Sequence, residues 1–121
     1  MGMFNARRTA VAHRYTQALG DLDLVLPTVA PWATPVWHLY VVRTPHRDAL
    51  STHLAEHGVE TGVHYPVPPH RQQAFAGTAL AKASFPVAEA LAGEVLSLPM
   101  GPNLPEAAQQ QVIDAIRSFR A

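Results

Sequence analysis

Two clusters of proline constrain this chain more firmly than any other feature. Pro27, Pro31 and Pro35 interrupt one stretch, and Pro66, Pro68 and Pro69 another. Proline fixes φ, lacks an amide hydrogen and pushes the preceding residue out of the α region. Neither stretch can be helical, so helices are confined to the segments around them. Residues 4–19 form the first: Phe4, Val11, Tyr15 and Leu19 recur at three-to-four-residue spacing, Arg7 and Arg14 lie off that stripe, and Gly20 is a stop. The second has Thr44 as cap, Pro45 at the first helical position, Leu50 and Leu54 as its apolar side and Gly58 just past its end. Pro86 opens a short helix to about Gly93. In the last, Asn103 and Glu106 have capping-box spacing and Pro105 stands near the start. Leu104, Ala108, Val112, Ala115, Ile116 and Phe119 form its apolar stripe.

Strands fill the gaps. Residues 36–43 are rich in β-branched and aromatic side chains, and alternation sets Trp37, Leu39 and Val41 on one face and His38, Tyr40 and Val42 on the other. Val59 to Val63 and Val95 to Leu98 read as short extended segments, and Leu22 to Leu26 has some strand character. Gln72 to Lys82 reads as a short helix and loop. This order predicts an α+β fold, a small short-stranded sheet with helices packed on one face. At 121 residues the expectation is one domain, long enough to bury a real core.

Composition removes several function classes. Lysine plus arginine and aspartate plus glutamate balance at 9 each. A nucleic-acid partner is therefore not expected, since phosphate binding draws on a basic surplus. A net charge of zero leaves no charge repulsion against a homo-oligomer. The chain has no cysteine, which excludes disulfides, thiolate metal sites and cysteine nucleophiles. The longest apolar stretch, Leu24 to Trp37, is too short and too interrupted to span a membrane. A cytoplasmic location is the expectation.

Few residues could carry chemistry. His53-Leu54-Ala55-Glu56-His57 has the H-x-x-E-H spacing that sets two histidines on one helix face. It lies in the last turn before Gly58, and the expectation is no metal: His57 suits a helix C-terminus and His53 packs. Lys82, the only lysine, sits among small residues and is expected to be solvated. Ser97 lacks the flanking glycines of a nucleophile elbow and reads as a strand serine. His38 reads as a structural histidine of the strand. His64-Tyr65 is the most pointed pair: it follows Gly62 and precedes Pro66, so a stiff segment presents a histidine and a tyrosine at little ordering cost.

Three phrases in order, Trp37-His38-Leu39-Tyr40-Val41-Val42, Gly58-Val59-Glu60-Thr61-Gly62-Val63-His64-Tyr65-Pro66 and Leu96-Ser97-Leu98-Pro99-Met100, resemble the C-terminal small domain of the DegT/StrS family of nucleotide-sugar aminotransferases, which depend on pyridoxal phosphate (PLP). The resemblance extends to Asn5, Arg8, Tyr15 and Leu19 and to Pro86-Val87-Ala88-Glu89, and so to nearly the whole chain. Pro69, Arg71 and Gly101 depart from it. The resemblance implies that residues 1–20, with Arg7, Arg8 and Arg14 and no acid, are a folded helix rather than a presequence. It implies transfer of an amine through PLP to a keto-sugar nucleotide. The Schiff-base lysine then belongs to a larger N-terminal domain that residues 1–121 do not include, so Lys82 is not its equivalent. His64 and Tyr65 are implied to face the nucleotide-sugar substrate, with His70 and Gln73 lining the same region. No catalytic or cofactor-binding residue is assigned to this chain. On its own it is expected to be inactive and to hold no PLP, as a fragment or a split-enzyme half completed by the large PLP-binding domain in cis or in trans. The alternative expectation is a non-catalytic interaction module.

Overall fold

The computed structural model describes residues 2–121. Helix α1 spans Gly2–Leu19, strand β1 Tyr40–Arg43, helix α2 Arg47–Glu56, helix α3 Pro86–Glu94, strand β2 Val95–Leu98 and helix α4 Glu106–Ser118. Three short 3-10 turns, Pro69–Arg71, Gln73–Phe75 and Ala79–Lys82, lie between α2 and α3. Strands β1 and β2 pair antiparallel, with Tyr40 opposite Leu98 and Val42 opposite Leu96. Isolated bridges extend the pair on both sides: Val25 joins Arg43, and Gly62 joins Ser97. The extended segments expected at 22–26 and 59–63 thus each contribute one bridge rather than a strand.

One hydrophobic cluster holds these elements together. Val11, Ala12, Tyr15 and Leu19 of α1 meet Tyr40 and Val42 of β1, Leu96 and Leu98 of β2, Leu50 and Leu54 of α2, and Val112, Ile113, Ala115 and Ile116 of α4. The buried stripe of α1 begins at Val11 rather than at Phe4, which is 47% exposed. Polar groups inside the cluster are matched. The Tyr15 hydroxyl donates to the Pro99 carbonyl at 2.7 Å, and the Tyr40 hydroxyl lies 2.9 Å from Thr16 Oγ1. Burial raises both phenols above the ordinary tyrosine range. Gln109, on the buried side of α4, donates to the Val11 carbonyl at 2.8 Å and ties α4 to α1. A buried amide is tolerated only when so satisfied.

Element ends depart from the sequence expectation in three places. Strand β1 begins at Tyr40, not residue 36, because Trp37 takes φ 53, a left-handed conformation that no strand accepts. Arg8 of α1 donates to the Trp37 carbonyl at 3.1 Å and steadies this bend. His38 is consequently exposed and not a core histidine. Helix α2 starts at Arg47: Thr44 accepts the His46 amide at 3.1 Å, forming a turn before the helix rather than its cap. In α4 the N-cap residue is Pro105, no side chain caps it, and the Asn103–Glu106 box does not form. Gly58 meets expectation, ending α2 with φ +75.

Candidate functional site

The sheet has a second face, and the candidate site lies there. Tyr40, Val42, Leu96 and Leu98 point into the cluster, so Ser97 and Val95 point away from it. Beside Ser97 runs the 59–63 segment: the Gly62 amide donates to the Ser97 carbonyl at 3.1 Å and receives the Ser97 amide on its own carbonyl at 2.7 Å. Two residues beyond Gly62, His64 emerges on the same side. Its Nδ1 lies 2.8 Å from Ser97 Oγ. Tyr65 follows across a cis peptide, its ring edge-on to the imidazole at 5.3 Å.

His64 and Tyr65 form one wall of a groove of about 280 Å³. Val67, Pro68, Pro69 and Gln72 continue that wall, and Ala88, Leu91 and Ala92 of α3 stand opposite with Val95 between. The prolines explain the shape: the segment cannot coil, so it is held out as an extended rim. His64 also borders a second hollow of about 210 Å³, shared with His38, Glu60, Thr61 and Met100.

The four expected site residues are not all brought together. His64 and Tyr65 share the groove. His70 is buried behind it: Nε2 lies 2.9 Å from Glu89 Oε1 on α3, and the ring meets Phe85 edge-on at 4.8 Å. Arg71 adds a second bond to the same carboxylate at 3.1 Å. These two bonds, His70 first and Arg71 second, hold the Glu89 carboxyl below the ordinary range. Gln73 is exposed at the start of the second 3-10 turn, and it is Gln72 that lines the groove. Sequence reading missed Gln72, and it missed Ser97 as the partner of His64. No local pattern marks a serine 33 residues away as the neighbour of an imidazole.

The other candidates have other surroundings. His53 Nε2 lies 2.9 Å from the Ala115 carbonyl and 3.0 Å from Ser118 Oγ at the end of α4. His57 turns back, with Nδ1 2.8 Å from the His53 carbonyl. Among the described residues no three histidine, aspartate or glutamate side chains gather as metal ligands. Lys82 is exposed on the last 3-10 turn and lines neither hollow around His64. The groove therefore does not fit the covalent seat of PLP, which needs a lysine. No helix among the described residues is long and apolar enough to cross a membrane.

A sequence model of the DegT/DnrJ/EryC1/StrS aminotransferase family matches residues 1–117. The chain belongs to this family. It is 48% identical over 116 residues to the erythromycin biosynthesis sensory transduction protein EryC1 of Saccharopolyspora erythraea, covering 95% of this chain and 32% of that protein. It is 47% identical over 117 residues to a dTDP-3-amino-3,4,6-trideoxy-alpha-D-glucose transaminase of Streptomyces venezuelae, covering 96% of this chain and 31% of the relative. The fold agrees with the crystal structure of S. venezuelae DesV in complex with a ketimine intermediate, at a TM-score of 0.90 and 48% identity over 94% of this chain and 31% of that one. The α+β arrangement described above is thus shared with that structure, and the chain spans about a third of the length of the curated relatives it matches.

Proposed function

We propose that this chain is the C-terminal portion of a PLP-dependent aminotransferase that acts on keto-sugar nucleotides. The observation that carries the reading is the family match over residues 1–117, together with 47% identity to a dTDP-sugar transaminase. In this reading residues 1–121 form one domain, and a large PLP-binding domain, in cis or in trans, supplies the lysine and the phosphate site. The groove beside α3 meets that domain, and His64 and Tyr65 are the substrate-binding residues it presents. His70, through Glu89, holds the rim in place, while Gln73 stands at its outer edge. Exposed apolar side chains of the groove itself support a covered surface: Tyr65 is 72% exposed, and Val67 on the same wall is exposed too. Single exposed apolar residues are ordinary, but a set of them around one groove fits a partner face. Zero net charge also leaves room for a homo-oligomer of the completed enzyme. Such an enzyme draws on nucleotide sugars, and the cytoplasm is its expected place.

The test is reconstitution. The purified chain is mixed with the separately expressed large domain of a family transaminase, PLP, an amino donor and a dTDP-keto-sugar, and amino-sugar product is measured. Product from the pair and none from either part supports the reading. Turnover by the chain alone overturns it. So does silence from the pair when the two parts are seen to associate.

A further inference from the structure

We propose that Ser97 is a positioning residue that fixes His64 in the tautomer with its proton on Nε2, so that the groove offers an N–H donor to an oxygen acceptor of the substrate.

The geometry that points to this is local and closed. Ser97 is 5% exposed, and its Oγ lies 2.8 Å from His64 Nδ1. Among the described residues neither Ser97 Oγ nor His64 Nε2 makes any other hydrogen bond. A serine hydroxyl has one proton to give, and a buried one needs an acceptor. Among the described residues the only acceptor its hydroxyl meets is an unprotonated Nδ1. Were Nδ1 to carry the proton, it would donate to Ser97 Oγ and leave the hydroxyl proton without a protein acceptor, at the edge of the hollow that Ser97 and His64 share. That asymmetry favours the Nε2–H form.

The backbone sets the two side chains side by side. The backbone ladder between Gly62 and Ser97 fixes the serine relative to the segment that carries His64. Gly62 provides the space: a Cβ built there would stand 2.9 Å from His64 Cε1. The imidazole is thus seated over a glycine, bonded on one nitrogen and free on the other. A neutral imidazole so held presents one donor and no acceptor toward a ligand. Phosphate, hydroxyl and keto oxygens all accept such a bond, and a nucleotide sugar carries each.

The inference rests on the proposed function only in taking the sugar nucleotide as the ligand; the tautomer is read without any substrate. Long-range ¹H–¹⁵N correlation spectra of the ¹⁵N-labelled chain report which ring nitrogen is protonated, with His64 assigned by its loss in His64→Gln. The expected wild-type pattern is Nε2–H. Ser97→Ala is expected to give a mixture of the two tautomers, and Ser97→Thr to restore the wild-type form. A wild-type Nδ1–H pattern or an even mixture overturns the proposal, and so does an unchanged pattern in Ser97→Ala. If Ser97→Ala fails to fold, the wild-type spectrum and Ser97→Thr still decide. In the reconstituted enzyme Ser97→Ala should raise KM about twofold, in proportion to the share of the Nε2–H form lost, with little change in kcat. The expected tautomer with an unchanged KM in His64→Asn would overturn the proposed function of His64 and leave the Ser97 pairing intact.

Discussion

The imidazole of His64 sits where a side chain on Gly62 would begin, 2.9 Å from the position of its Cβ. Gly62→Ala therefore sets a methyl group against a surface ring. The ring can rotate away, since its outer edge faces solvent, so the stability cost is about 1 kcal/mol, chiefly the lost bond to Ser97, offset in part by the lost backbone freedom of glycine. What is lost is the 2.8 Å bond to Ser97. Thermal denaturation should shift by only a few degrees while the His64 ring signals move strongly. A large loss of stability with the ring signals in place would contradict this account of Gly62.

Tyr15 ties the first helix to the turn that leaves β2. Its hydroxyl donates to the Pro99 carbonyl at 2.7 Å, and its ring packs on Tyr40 at a centroid distance of 5.0 Å. Tyr15→Phe keeps the ring and removes the donor, leaving the half-buried Pro99 carbonyl without that partner. The expected loss is about 0.5–1.5 kcal/mol, measured by urea denaturation. Tyr40→Phe should cost less, because Thr16 Oγ1 keeps its bond to the Ala12 carbonyl at 3.0 Å.

The rim of the groove should loosen in acid. Glu89 accepts from His70 and Arg71, and both bonds hold its carboxyl below the ordinary range. A carboxyl with a depressed folded-state pKa stabilises the fold fully above its unfolded value, about 4.3 for glutamate. That contribution is lost as pH falls from there through the folded-state value. Stability measured against pH should show this acid limb in the native chain, and Glu89→Gln should flatten it. Equal acid limbs in the two proteins would show that the pairing contributes nothing over this range.

Much of the fold was legible because its signals are local. Gly58 ends α2 in the left-handed conformation that glycine favours, and Pro86 opens α3 as its fixed φ suggests. Val95 to Leu98 is β2 as expected, all four residues buried. The departures come from tertiary contacts. Trp37 reads as strand but bends, with Arg8 holding its carbonyl from a helix 29 positions away. Gln109 interrupts the apolar stripe of α4 and is buried anyway, because the Val11 carbonyl satisfies it. The site divides in the same way. His64 and Tyr65 stood out from the glycine before and the proline after them. Ser97 and Glu89, which orient His64 and His70, were invisible because each meets its histidine only once the chain has folded.

Lys82 gives the sharpest separation between this chain's groove and the covalent chemistry expected of the completed enzyme. It is the only lysine, so any aldimine formed within residues 1–121 must use it. A Schiff-base lysine needs a fixed position and a neighbourhood that favours its neutral form, usually burial or a second cation. Lys82 is exposed on a 3-10 turn of small residues and lines neither hollow beside His64. Lys82→Ala should therefore leave transamination by the reconstituted pair within about twofold of wild type, the range expected of a surface substitution. His64→Ala in the same assay should raise KM by about tenfold or more, the loss of one oriented hydrogen bond to substrate. Progress curves at several substrate concentrations, run for both variants side by side, distinguish the two. A collapse of turnover in Lys82→Ala would move the chemistry into this chain and away from its partner domain.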